Sequence, residues 1–201
     1  MNKILNHFKK NDPVLYAYLL KIGNLKLIKK DTPNNYFYRL CKEIIGQQLS
    51  DKSSNAILSR FNSLFSNTFP QPSDLMLIFH DELRATGMSH AKARYVKNLA
   101  GAIDHGDLHI FQFDSMTDEE VVAELTKVKG IGPWTAEMFL MFVLNREDVF
   151  SYGDLGLKKG IKKIYGFKKD PTKKQIEKII SRWSPYKTYA SRILWMSLEI
   201  K

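Results

Sequence analysis

The chain has 201 residues, a net charge of +10 at pH 7 and one cysteine, Cys41. One cysteine excludes an intrachain disulfide framework and any multi-cysteine zinc or iron–sulfur site. No apolar run approaches the roughly 20 residues that span a bilayer, and the basic, polar stretch Met1–Lys10 lacks the apolar core of a secretion signal. The surplus of Lys and Arg suits a polyanionic partner, or simply a soluble surface.

Helix signals dominate, and the expected fold class is all-α, with about ten helices. In chain order, Asp12-Pro13 and Thr32-Pro33 each place a capping side chain before a proline suited to the first helical position. Ile57, Leu58, Phe61, Leu64 and Phe65 recur at helical spacing, then Val96, Leu99, Ala100 and Ile103. Between them Phe65–Pro72 is the clearest irregular stretch, with Asn67, Pro70 and Pro72. Thr117 and Glu120 have capping-box spacing. Asp170-Pro171 and Ser184-Pro185 repeat the cap-then-proline signal.

The segment Leu125-Thr126-Lys127-Val128-Lys129-Gly130-Ile131-Gly132-Pro133-Trp134-Thr135-Ala136 is the first sharp motif. Gly130 and Gly132 permit backbone angles closed to other residues. Their missing side chains also let a phosphate approach the main chain. Pro133 would open an apolar helix, Trp134 to Leu144, whose N-terminus is an anion site. Lys127 and Lys129 add charge beside it. By itself a Gly-x-Gly is an ordinary turn, but the longer pattern is the helix-hairpin-helix signature. Downstream, Ser151-Tyr152-Gly153-Asp154-Leu155-Gly156 puts Asp154 just before a predicted helix, Leu155–Tyr165. Asp154 reads equally as a plain N-cap. Asp148, nearby, reads as a cap or a solvent-facing carboxylate.

Together these segments resemble the helix-hairpin-helix DNA glycosylase superfamily, and Gly153-Asp154-Leu155-Gly156 is similar to its AlkA-like 3-methyladenine branch. The resemblance runs from about Pro33 to Trp195. It implies two helical lobes, residues 49–145 and residues 1–48 plus 146–201, with an active-site cleft between them. It implies Asp154 as the catalytic carboxylate, and a base pocket drawing on Trp134, Trp195, Met138 and Gln47. Met138 departs from the family, some members of which carry an aromatic there. DNA contacts would come from Lys127, Lys129, Gly130, Ile131 and Gly132, and a monovalent cation, Na+ or K+, from the carbonyls of Thr126, Val128 and Ile131. No other cofactor is implied.

Two readings stay open elsewhere. In Cys41–Ser50, Gln47 and Gln48 line the cleft or tie helices together. In Gly87–Arg94, Lys92 and Arg94 touch phosphate or face solvent, as does the run Lys158, Lys159, Lys162, Lys163, Lys168 and Lys169. Leu64 or Phe65 would be an apolar wedge filling the gap left by a flipped base, or part of a core stripe. Trp195 stacks on the base or packs in the core; Trp183 and Tyr189 read as structural.

Trp134 stands where bifunctional relatives carry the lysine that forms a Schiff base, so hydrolysis by water is implied. The expected function is a monofunctional glycosylase releasing alkylated bases from damaged double-stranded DNA. The alternatives are a noncatalytic DNA-holding module and a bifunctional glycosylase/lyase for oxidised bases. The expected state is a monomer without a membrane segment, cytoplasmic and nucleoid-associated in a prokaryote or nuclear in a eukaryote. At its N-terminus the chain is too short for the extra β-rich domain that AlkA-like proteins often carry.

Overall fold

A computed structural model describes residues 2–23, 25–65 and 69–200. Asn67 of the irregular stretch lies outside them. Among the described residues there are twelve α-helices and no strand. They are α1 (Asn2–Asn11), α2 (Pro13–Ile22), α3 (Tyr36–Gly46), α4 (Asp51–Asn62), α5 (Pro72–Leu77) and α6 (His80–Ala85), then α7 (His90–Asp104), α8 (Asp118–Thr126), α9 (Pro133–Phe142), α10 (Leu155–Ile164), α11 (Lys173–Ile180) and α12 (Lys187–Ser197). The excess over the expected number comes from short helices such as α5 and α6, six residues each, too short for a clear hydrophobic period.

The chain divides into two units, Met1–Lys29 with Asn145–Lys201, and Lys30–Leu144. The expected boundary at 48/49 is therefore displaced to 29/30. Helix α3 explains the shift. It buries Tyr36, Phe37, Leu40, Cys41, Ile44 and Ile45 and packs on α4, α7 and α9. Burial of each such side chain contributes about 1.5–3 kcal/mol, so the helix is held by the unit that covers its apolar face.

In the discontinuous unit, α10 packs along α12 and both pack on α2. The amphipathic α10 turns Leu157, Gly160, Ile161 and Ile164 inward and its lysines outward. A Cβ on Gly160 would lie 2.9 Å from the carbonyl oxygen of Leu194, so glycine there sets the close α10–α12 crossing. Asp12 caps α2 as expected, accepting from Leu15 N at 3.1 Å.

Three expected helix starts shift. Thr32-Pro33 opens a 3-10 turn, Pro33–Asn35, without a side-chain cap bond, and α3 follows from Tyr36. Asp170 pairs with Lys162 at 2.7 Å, and Thr172 caps α11 instead, in a capping box with Gln175. Ser184 donates its hydroxyl to Asp148, so α12 begins at Lys187. In the other unit, the Thr117–Glu120 capping box forms at the start of α8 as expected.

Candidate active site

In the discontinuous unit the site is built around Asp154. Asp154 is the N-cap of α10, its Oδ1 accepting from Leu157 N at 2.7 Å. The same Oδ1 accepts from the indole Nε1 of Trp195 at 3.1 Å. The carboxylate is thus held at the positive end of a helix and buried to 8% exposure. Gly156 makes this possible. A Cβ there would fall 2.9 Å from Trp195 Cδ1 and 3.0 Å from Asp154 Oδ1, inside van der Waals contact. The Gly-Asp-Leu-Gly sequence therefore seats a tryptophan against a carboxylate. Trp195, half-buried, meets Asp154 with its indole N–H, a contact the sequence does not disclose.

The neighbouring carboxylate, Asp148, caps α12. It accepts from Lys187 N at 3.2 Å and from Lys187 Nζ at 2.8 Å. Burial pushes its carboxyl up, but the bonds from Lys187 and Ser184 outweigh this and hold it below the usual range. Trp183 is fully buried and donates to Asp12 at 2.9 Å, and Tyr189 is buried as well; both are structural. The basic run divides. Lys162 pairs with Asp170, and Lys163 donates to the last carbonyls of α12, those of Ser197 and Ile200, at 2.7 and 2.6 Å. Lys159, Lys168 and Lys169 are exposed and Lys158 half-buried.

In the continuous unit, α8, a tight turn and α9 form the helix-hairpin-helix. Ile131 N donates to Val128 O at 3.0 Å across the turn. Gly130 has φ +115 and packs so closely under Tyr95 that a Cβ would lie 2.3 Å from that ring. Gly132 differs from expectation. Its φ is −95, open to any residue, and nothing lies within 4 Å of a Cβ built there. Its value is the open space over the N-terminus of α9, where a phosphate can reach main-chain N–H groups. The cation-binding proposition rests on neutral carbonyl oxygens, a donor set that suits an alkali ion rather than a transition metal.

A hollow of about 640 Å³ runs beside this turn, lined by Gln47, Gln48, Lys92, Tyr95, Gly132 and Trp134 among others. Trp134 is 42% exposed. Gln47 ties helices together while it lines the hollow, donating to Gly130 O at 3.1 Å and Thr135 Oγ1 at 3.2 Å. Met138 is buried. Lys127 is in an ion pair with Glu124; Lys129 and Arg94 are exposed. Phe65 packs edge-on against Phe61, with Leu64 half-buried, which favours the core stripe over the wedge.

Lys92 neither faces solvent nor awaits phosphate. Its ammonium donates to Ile45 O at 2.8 Å and Gln47 O at 2.6 Å, carbonyls that the end of α3 leaves without helical partners. Lys92→Met is expected to weaken binding to duplex DNA by loosening this turn, without changing the slope of log affinity against log salt. A true phosphate contact would lower that slope by about 0.9, which a fluorescence-anisotropy salt series measures.

Two residues escaped the reading of the sequence. Gln48 has φ +58, a strained position for a side chain of its kind, and with the 38% exposed Leu49 it forms the crest of the α3–α4 turn. No residue preference signals it. Glu43, one helical turn before Gln47, lines a second hollow of about 360 Å³ together with Gln47, Gln48, Leu49 and Trp134.

Residues 41–185 match the family described as HhH-GPD superfamily base excision DNA repair protein. The chain is 32% identical to DNA-3-methyladenine glycosylase 1 of Schizosaccharomyces pombe over 89% of this chain and 79% of the relative. The structure superposes on that of the Schizosaccharomyces pombe 3-methyladenine DNA glycosylase in complex with abasic DNA with a TM-score of 0.87, at 30% identity, covering 98% and 97% of the two chains. It also matches DNA-3-methyladenine glycosidase from Bacillus halodurans with a TM-score of 0.85, at 33% identity, covering 98% and 89%. A glycine hairpin, a helix-capping aspartate and this extent of similarity have one reading: the chain belongs to the HhH-GPD superfamily of base excision DNA repair proteins.

Proposed function

We propose that the protein is a monofunctional DNA glycosylase that hydrolyses the N-glycosidic bond of alkylated, 3-methyladenine-like bases in duplex DNA and leaves an abasic site. The observation that carries this reading is the seating of Asp154. A noncatalytic hairpin module has no use for a carboxylate held by a helix end and a tryptophan, with a glycine cleared to admit the ring. Cleavage of the bond builds positive charge on the sugar. A fixed carboxylate stabilises that charge while water adds to C1′. The target base must leave the stack to react, and Trp134 offers it an aromatic face that attracts a cationic alkylpurine. The crest of the α3–α4 turn, Gln48 and Leu49, would fill the gap left behind. The hairpin would hold one strand at the open N-terminus of α9, with Lys129 near the phosphates and the carbonyls of Thr126, Val128 and Ile131 taking a Na+ or K+ that adds positive charge beside them.

Trp134 has no amine, so no Schiff base forms on it, and water is the nucleophile. No helix among the described residues is long and apolar enough to cross a membrane, and the protein would work in the compartment that holds the DNA. The test is incubation with methylated duplex DNA. Free methylpurine is expected in the supernatant, and borohydride is expected to trap no protein–DNA adduct. Absence of released base overturns the glycosylase reading, and a trapped adduct overturns the monofunctional one.

A further inference from the structure

Glu43 stands out among the acidic side chains of the continuous unit. Its carboxylate has no hydrogen bond or ion pair among the described residues, although the side chain is largely covered. Leaving a carboxylate buried without a partner is costly, and nothing in the packing of α3 requires an acid there. The carboxylate opens onto the hollow it shares with Gln47 and Trp134, the face on which the proposed base would stack. An unpaired acid in a concave site beside an exposed aromatic is the pattern of a group kept for a ligand.

We propose that Glu43 is a second catalytic group, a general acid that protonates the leaving base and so extends base release from cationic alkylpurines to uncharged purine lesions. This rests on the glycosylase reading above and deepens it. A cationic alkylated base departs as a neutral molecule without help, because its own positive charge takes up the electron pair of the breaking bond. An uncharged base would leave as an anion. In the proposed step the Glu43 carboxyl gives its proton to a purine ring nitrogen as the C1′–N9 bond breaks. The bonding pair goes to the base, which leaves neutral, and the sugar carries the positive charge. Water then adds to C1′ and releases a proton to solvent, and Glu43 regains one from solvent, which completes a hydrolysis.

The surroundings keep the acid available. Burial pushes the Glu43 carboxyl above the usual range, and Arg39 and Lys42 on the same helix offset this only in part. Asp51 of α4 lines the same hollow and adds negative charge, while α9 presents the uncharged Trp134. A carboxyl raised in this way holds its proton closer to neutral pH, as a general acid must.

The test compares wild type with Glu43→Gln under single-turnover conditions, on duplexes carrying either 3-methyladenine or hypoxanthine. Wild type is expected to release both, hypoxanthine more slowly as pH rises through the range where Glu43 ionises. Glu43→Gln is expected to lose about two orders of magnitude or more on hypoxanthine, the scale of general acid catalysis, and to stay within about threefold of wild type on 3-methyladenine, where no proton is needed. The variant is expected to melt no lower than wild type, since it removes an unpartnered charge; a structural role would lower the melting temperature. Equal losses on both lesions, an unimpaired variant, or a wild type inert on hypoxanthine overturns the proposal. Failure of wild type on 3-methyladenine overturns the glycosylase reading instead. Should Glu43→Gln not fold, Glu43→Leu provides the same comparison.

Discussion

Replacing Asp154 with Asn is expected to lower single-turnover release of 3-methyladenine by at least about two orders of magnitude, the scale of one lost electrostatic catalyst, while leaving the fold intact. The separation of the two effects follows from the geometry. An asparagine Oδ1 can still accept from Leu157 N and from Trp195 Nε1, the two bonds that Asp154 Oδ1 makes. Asn and Asp are near equals as N-caps, so the melting temperature should barely move. What Asn lacks is the negative charge that opposes the sugar cation. Asp154→Ala should lose the activity and, in addition, about 0.5–2 kcal/mol of stability with the cap. Chemical denaturation beside the activity assay separates these two outcomes. An Asp154→Asn protein with full activity would leave Asp154 as a helix cap alone.

The second large effect concerns stability. Asp12→Ala is expected to destabilise the protein by about 3–5 kcal/mol, as removal of one member of a buried charged network does. That corresponds to a fall in melting temperature on the order of 10 °C for a chain of this size. Asp12 is fully buried. Its Oδ1 caps α2 through Leu15 N, and its Oδ2 accepts from the Tyr165 hydroxyl at 2.6 Å and from Trp183 Nε1 at 2.9 Å, with Arg182 at 3.7 Å. One carboxylate thereby joins the N-terminal helices to the end of α10 and the segment before α12. The alanine leaves a buried hydroxyl and a buried indole N–H without acceptors, each a loss of about 1–3 kcal/mol. Calorimetry measures the shift, and a variant melting within a degree or two of wild type would show that the network contributes little.

Asp12 also shows where the reading of the sequence stopped. Asp12-Pro13 announces a helix cap, because capping is a matter of neighbouring residues. That the same side chain would gather Tyr165, Arg182 and Trp183 depends on chain segments more than 150 positions away. The 49–145 lobe failed at its N-terminal edge for the same reason. Apolar periodicity shows that α3 has a buried face but not which helices bury it. Lys92 looks in sequence like any surface lysine at the start of a helix, and only the folded chain brings the open carbonyls of Ile45 and Gln47 to it.

The sequence by itself determined the all-α class, the glycine hairpin, the cap at Asp154 and the absence of an amine at Trp134. Each of these follows from residue type and short spacing, which act through turn chemistry and local hydrogen bonds. Only the tertiary structure decided that Trp195 meets Asp154 over a glycine, that Gly132 is open while Gly130 lies under Tyr95, and that Glu43 faces a hollow without a partner. Those facts are set by which surfaces pack together, and the packing free energy that selects them is shared among residues far apart in the chain.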